Sequence, residues 1–280
     1  MPRAGATILT TVSALRQALR PLRPEGIAMV PTMGALHDGH LSLVREAQRH
    51  AGHVVVSIFV NPAQFAPGED FEAYPRTLEA DLEKLGGTAA IVFAPDAREI
   101  YPAGFATTVT VGGPAAGLES DFRPHFFAGV ATVVAKLLIA AGPDAAVFGE
   151  KDYQQLLVVR RMARDLGLPT EIVAAPTLRE ADGLAMSSRN AYLDADERKV
   201  AARLNLILKD AIAHARADGD LRAAEAQAEA ALKAAGFTSV DYVAIRDADT
   251  LEQVAVLGRP ARILAAARIG RTRLIDNMEV

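Results

Sequence analysis

The run Val54-Val55-Val56-Ser57-Ile58-Phe59-Val60 is apolar at six of its seven positions, and few folds can hold such a strand. A strand with one wet face alternates polar and apolar residues. One that does not alternate is covered on both faces, as in parallel sheets that carry helices above and below. The flanking pattern agrees: strand-like runs at 26–32, 53–60, 89–94 and 145–148 alternate with helical periodicity at 11–22, 41–50, 77–85, 130–141 and 153–166. The order predicts an α/β chain built on a Rossmann-like doubly wound parallel sheet. Beyond Arg189-Asn190 the character changes. Residues 196–235 are rich in Ala, Leu, Arg and Glu and predict two helices broken near Asp218-Gly219-Asp220. Strand-like runs at 240–245, 261–266 and 272–275 complete a second, smaller α+β C-terminal domain. The expected domains are 1–187 and 188–280. The other reading of the Ala-rich tract is a low-complexity linker, against which its regular Leu, Ile and Ala positions speak.

Composition narrows the classes of function. No uninterrupted apolar stretch reaches the roughly 20 residues of a membrane span. There are no cysteines, so neither a disulfide nor a thiolate metal site can form. A net charge of −4 argues against a broad basic face for nucleic acid. Met1 to Thr7 lack the apolar core of a signal peptide, which makes a cytoplasmic protein, without a membrane or nucleic-acid partner, the expectation.

In doubly wound sheets ligands bind beyond the carboxyl ends of the strands, so residues 31–40, 61–65 and 149–155 are expected to converge. The first of these contains Met33-Gly34-Ala35-Leu36-His37-Asp38-Gly39-His40, a His-x-Gly-His motif where a buried strand turns into a helix. A helix N-terminus offers unpaired N–H groups and a positive dipole end to a phosphate. The glycines permit close backbone approach, and two histidines three residues apart can donate from one side. The bland alternative is two unrelated surface histidines beside a turn.

Asn61-Pro62-Ala63-Gln64-Phe65 delivers two amides to the end of the apolar strand, suiting a small polar ligand; the alternative is a plain Asn-capped turn. Phe148-Gly149-Glu150-Lys151-Asp152-Tyr153-Gln154-Gln155 repeats the strand, glycine, polar, helix order. In it Lys151 can reach phosphate oxygens and Asp152 can cap the helix, hold ribose hydroxyls or hold Mg²⁺ indirectly, against an exposed capping cluster as the alternative. Met186-Ser187-Ser188-Arg189 joins two hydroxyls to one fixed positive charge, a set able to hold the β- and γ-phosphates of ATP, although Ser-Ser-Arg is also common in loops.

Taken in order, Pro31 to His40, Ser57 to Phe65, Tyr74-Pro75-Arg76-Thr77, Phe148 to Gln155, Asp182 to Asn190 and Leu274-Ile275-Asp276-Asn277 resemble the pantothenate synthetase (pantoate–β-alanine ligase) family over about residues 29–277. His-x-Gly-His alone would suggest only the wider nucleotidyltransferase and class I aminoacyl-tRNA synthetase group. The resemblance implies an ATP-dependent ligase of two steps, in which pantoate is activated as pantoyl adenylate and then transferred to β-alanine. It implies ATP against Met33 to His40, Gly149 to Asp152, Leu178 and Met186 to Arg189, with His40, His37, Lys151 and Arg189 catalytic. It further implies pantoate on Gln64 and Gln155, β-alanine near Gln64, and substrate contacts from Asn61 and Arg123. Mg²⁺ is implied as an ATP-borne ion without protein side chains as ligands, and a homodimer through the larger domain, for which Thr107 to Val111 would suit either an interface strand or an ordinary edge strand.

Two departures stand out. Ala63 occupies a position where the family usually has Met, giving a roomier pantoate pocket. In Arg123-Pro124-His125-Phe126-Phe127-Ala128-Gly129-Val130 the family histidine position holds Phe126, with His125 one residue early. Two rivals remain: another nucleotidyltransferase of the same fold, which would not need the Gln64 and Gln155 pair, and a nucleotide-binding regulator that has lost turnover.

Overall fold

The structure, a computed structural model, describes residues 6–66 and 68–280. Met1 to Gly5, on which most of the leader reading rests, lie outside the described residues. The chain opens with β1 (Thr7–Leu9), α1 (Val12–Leu19), β2 (Ile27–Thr32), α2 (Asp38–His50), β3 (His53–Ile58), α3 (Leu78–Leu85) and β4 (Ile91–Phe93). It continues through two single-turn helices, α4 (Ala97–Ile100) and α5 (Glu119–Phe122), to α6 (Phe126–Ala141), β5 (Ala145–Gly149), α7 (Tyr153–Asp165) and β6 (Glu171–Ala175). Helices α8 (Ala195–Ala201), α9 (Arg203–Asp218) and α10 (Leu221–Ala235) then precede β7 (Ser239–Asp247), β8 (Ala261–Ile269) and β9 (Thr272–Glu279).

Two units result. The first comprises the chain up to Gly112 with Arg123–Glu150 and Val158–Pro176; the second comprises Gly113–Phe122, Lys151–Leu157 and Thr177–Val280.

The first unit holds a six-stranded sheet in the order β1-β4-β3-β2-β5-β6, parallel at every pairing. From β2 the sheet grows in both directions, to β3 and β4 on one side and to β5 and β6 on the other, with β1 added at the edge beside β4. The switch point therefore falls between β2 and β5, where such sheets bind ligands. The centre is dry: Ile27, Ala28, Met29, Val30, Val55 and Val56 have no exposed surface. Helix α6 is apolar almost all round and correspondingly buried from Phe127 to Ala141, apart from a few residues such as Ile139. Edge strands β1 and β6 escape the periodicity reading because they are only three and five residues long and mostly not buried.

The second unit contains the antiparallel sheet β7-β8-β9, which packs α9 and α10 around Leu204, Leu208, Leu221, Leu232, Phe237 and Ile263. The break at Asp218-Gly219-Asp220 is present. Gly219 ends α9 in the left-handed region at φ 72°, and the Asp220 carboxylate caps α10 through the Ala223 N–H. The helix expected from 196 is two helices, α8 and α9. The chain divides them at Ala202 while keeping right-handed dihedrals, so no glycine or proline marks the break.

Thr107 to Val111 form no strand; the Val109 N–H donates to the Thr132 hydroxyl of α6 at 2.9 Å instead of to a ladder. No helix among the described residues is long and apolar enough to cross a membrane.

Candidate active site

In the first unit the His-x-Gly-His segment begins at the carboxyl end of β2. Thr32 donates from its hydroxyl to the Ser57 carbonyl at 2.7 Å and accepts the Gly34 N–H at 3.2 Å, which ties the loop to β3. Gly34 and Ala35 both take left-handed dihedrals, φ 83° and 50°. For Ala35 that conformation costs energy and needs an external hold. Asp81 of α3, wholly buried, supplies it by accepting the Ala35 N–H at 2.9 Å and the Leu36 N–H at 2.7 Å, while Lys84 donates to the Leu36 carbonyl at 2.6 Å.

The two histidines themselves build the helix start. His37 is the N-cap of α2, and its Nδ1 accepts the Gly39 N–H at 3.1 Å; the Nδ1 of His40 accepts the His37 N–H at 3.3 Å. The rings lie 4.1 Å apart between centroids. An Nδ1 that accepts from an amide carries no proton, so each neutral ring holds its proton on Nε2 and keeps that atom as a donor. Sequence reading predicted the helix from Leu41. It starts earlier, at Asp38, because the histidines satisfy the first amides that would otherwise fray.

At the end of β3, Asn61 is buried and fully engaged. Its Nδ2 donates to Gln64 Oε1 at 3.1 Å and to the Gly129 carbonyl at 3.2 Å; its Oδ1 accepts the Ala63 N–H at 3.3 Å and the Tyr101 hydroxyl at 2.6 Å. Burial pushes the Tyr101 phenol up to about 12, against the opposing pull of the Asn61 bond, so Tyr101 stays a donor. The Gln64 amide then has its orientation set, with Nε2 pointing to the Met33 sulfur at 3.0 Å. Met33, Asn61 and Gln64 thus meet as the strand order requires. Ala63 is exposed, and its carbonyl faces Gly129, where any side chain on α6 would collide with the Ala63 backbone.

Arg123 holds the same turn from the other side. Its Nη2 donates to the Gln64 carbonyl at 3.0 Å, and Nε and Nη2 each reach Glu69 at 2.7 Å. Burial raises the Glu69 carboxyl, but the Arg123 hydrogen bond and charge outweigh it and hold the group below its ordinary value. Phe126, at the family's histidine position, lies face-on beneath the Arg123 guanidinium, 4.0 Å from ring centroid to Cζ. His125 is the N-cap of α6, without a side-chain cap bond, and its Nε2 is buried with no hydrogen-bond partner among the described residues. Gly149 ends β5, and Glu150 opens the single turn that follows it.

In the second unit Lys151 and Asp152 continue that turn, with Lys151 Nζ 3.9 Å from the Asp152 carboxylate. The neighbouring glutamines of α7 differ in employment. Gln154 is buried and donates to the Pro114 and Gly117 carbonyls while accepting the Glu119 N–H, a purely architectural set. Gln155 is half-buried and its amide has no hydrogen-bond partner among the described residues, so it is the one able to hold a ligand. Leu178 and Met186 are paired across a hairpin by the Met186 N–H to Leu178 carbonyl bond at 3.0 Å. Ser187 caps the turn Ser188–Tyr192 by accepting the Arg189 N–H at 3.3 Å, which leaves its hydroxyl proton to donate elsewhere. Among the described residues no three His, Asp or Glu side chains gather as a metal site.

Sequence reading missed Asp81 and Tyr101. Both act through contacts 40 or more positions away in the chain, and neither stands in a local motif.

A parallel doubly wound sheet with a histidine-capped helix beside its switch point defines an α/β enzyme of the phosphate-handling, nucleotide-binding class. More particularly, the chain belongs to the pantoate–β-alanine ligase family, whose model matches residues 7–279. Curated relatives named pantothenate synthetase include those of Mesorhizobium japonicum, 58% identical over 98% of this chain and 97% of that one, and Caulobacter vibrioides, 56% identical over 98% of both. Among solved structures, the pantothenate synthetase of Thermus thermophilus superposes with a TM-score of 0.92 at 49% identity, covering 97% of this chain and 98% of that one. The Francisella tularensis ligase, solved with β,γ-ATP and β-alanine, gives 0.83 at 32% identity over 98% and 97%. The chain is accordingly a ligase of pantoate and β-alanine, and the two rival readings of the sequence fall away.

Proposed function

We propose that the enzyme condenses (R)-pantoate with β-alanine at the expense of ATP, through pantoyl adenylate, releasing pyrophosphate, AMP and pantothenate. The observation that carries the reading is that the Nδ1 atoms of His37 and His40 both accept backbone amides at the head of α2, which sets each neutral ring to donate from Nε2. In the first step a pantoate carboxylate oxygen attacks the α-phosphorus of ATP and the bond to pyrophosphate breaks. A carboxylate is already ionised near neutral pH, so this step needs charge neutralisation and in-line placement, not a base. His37, His40, Lys151, Ser187, Ser188 and Arg189 are the donors assigned to the phosphates, with backbone from Met33 to Leu36, Asp38, Gly39 and Gly149 to Asp152, and with Leu178 and Met186 against the nucleotide. His40 is assigned as proton donor. In the second step the β-alanine amine attacks the acyl carbon, the acyl–phosphate bond breaks to release AMP, and the proton lost by the amine passes to a released phosphate oxygen or to water.

Gln64 and Gln155 are assigned to pantoate, Gln64 also to β-alanine. Asn61 and Arg123 act on the acid pocket through Gln64, the first at its side chain and the second at its carbonyl. The donor set is cationic and amide-rich, which suits an anion; Mg²⁺ is read as entering on the ATP phosphates, without protein carboxylates to cage it. We further read the protein as a cytoplasmic homodimer, which sedimentation would check.

The deciding assay supplies ATP, Mg²⁺, pantoate and β-alanine, then omits each acid in turn. AMP should appear only when both acids are present, and AMP release indifferent to pantoate would overturn the proposal.

A further inference from the structure

The motif Leu274-Ile275-Asp276-Asn277 has no role in the chemistry above, yet its last two side chains are almost wholly buried, at 2% and 4% exposure. Successive side chains on a strand point to opposite faces, so neighbours on β9 can grip different segments. Asp276 takes Arg179 in a two-pronged ion pair, Nη1 at 2.7 Å and Nη2 at 2.9 Å, and Arg179 Nη1 also donates to the Gly183 carbonyl at 3.0 Å. That braces the hairpin leading into Met186-Ser187-Ser188-Arg189. Asn277 donates from Nδ2 to the Lys151 carbonyl at 2.9 Å. Its amide cannot flip, because Oδ1 accepts from Arg262 Nη1 at 2.5 Å. The Arg262 guanidinium lies 3.9 Å above the Tyr153 ring, two residues beyond Lys151, and the Tyr153 hydroxyl is tied to the Ala248 carbonyl at 2.9 Å.

The geometry points to Asn277 as the positioning residue for Lys151: it holds the lysine's backbone so that the ammonium group is presented to the ATP phosphates. The inference rests on the reading that Lys151 binds those phosphates. A Lys side chain has four rotatable bonds and loses much of its freedom on binding. Fixing its backbone removes part of that cost before ligand arrives, whereas a carbonyl released from Asn277 would let the single turn at Glu150–Asp152 relax.

Asn277→Asp is the informative variant. It retains shape and an acceptor for Arg262 but cannot donate to the Lys151 carbonyl. Calorimetry would measure the affinity for the β,γ-methylene analogue of ATP in four proteins: wild type, Asn277→Asp, Lys151→Ala and the double variant. Kinetics would add the pantoate KM. Asn277→Asp is expected to weaken analogue binding about tenfold, as coupled neighbours do. In the Lys151→Ala background it should cost less than about twofold by the same logic, with the pantoate KM little changed in either. An equal loss in both backgrounds would show that Asn277 serves only the fold and would overturn the inference. Wild-type affinity in Lys151→Ala would remove the underlying assignment of Lys151 and the inference with it. Should Asn277→Asp not fold, Asn277→Ala gives the same two-background comparison.

Discussion

Asp81 receives the Leu36 N–H at 2.7 Å although the two residues are 45 positions apart, and its other oxygen takes the Ala35 N–H at 2.9 Å. A carboxylate with no exposed surface thus holds the one strained non-glycine residue of the His-x-Gly-His loop. Asp81→Ala leaves the buried Leu36 amide and the part-buried Ala35 amide unpaired, a loss of about 1–3 kcal/mol for the first and less for the second. Urea unfolding should show that loss, and kcat/KM for ATP should fall more than about tenfold as the loop relaxes. Full activity in a destabilised variant would confine Asp81 to the fold.

His40→Ala removes a donor from the proposed phosphate site and one amide acceptor from the start of α2. Stability should drop by only about 1 kcal/mol, the usual worth of a cap. Adenylate formation should fall about 10²- to 10³-fold, the scale for losing one preorganised donor. Rapid-quench measurement of the first step checks this, and near-normal turnover would make the histidine a capping residue alone.

Gly129→Ala would drive a methyl group into the Ala63 backbone, where α6 meets the turn carrying Gln64. Overpacking of this kind costs about 1–3 kcal/mol. Because the displaced turn bears Gln64, the KM for pantoate should rise while the KM for ATP stays within about twofold, a selectivity expected of independent sites. Steady-state kinetics with each substrate varied would separate the two.

Glu69 has a folded pKa below its unfolded value because of Arg123, so its contribution to stability is complete above the unfolded carboxylate range, near about 4.3. It is lost as pH falls through that range and then through the folded pKa. Glu69→Gln should therefore be less stable than wild type at neutral pH, with the gap closing on acidification. Denaturant titrations between neutral and acid pH test the sign; a gap that widens toward acid would contradict it.

Much of this was legible along the chain. The unbroken apolar run at residues 54–60 required a sheet covered on both faces, and the strand and helix order required parallel crossovers. The switch point then located the loops after β2, β3 and β5 before any coordinates. Gln64 was readable as an amide delivered beside a strand end, whereas Gln155 was singled out only by the family resemblance. The edge strands β1 and β6 were not readable, since strands of three and five residues are too short for a periodicity to show, and Thr107 to Val111 had strand-like composition without a neighbouring ladder to join. The division at Ala202 carried no local mark either.

Local order in the sequence determined the kinds of groups available: imidazoles at a helix start, amides at strand ends, a lysine and an arginine in turns. Only the tertiary structure decided which atoms of those groups are left to act. The Nδ1 atoms of His37 and His40 are spent on backbone amides, Asn61 is spent on Gln64, and Gln154 is spent on residues 114–119 while its neighbour Gln155 is not. A hydrogen bond depends on distance and angle between groups far apart in the chain. Asp81 beneath Leu36 follows from packing and from no motif, and although Asn277 stands in a motif, its bond to the Lys151 carbonyl follows from packing alone.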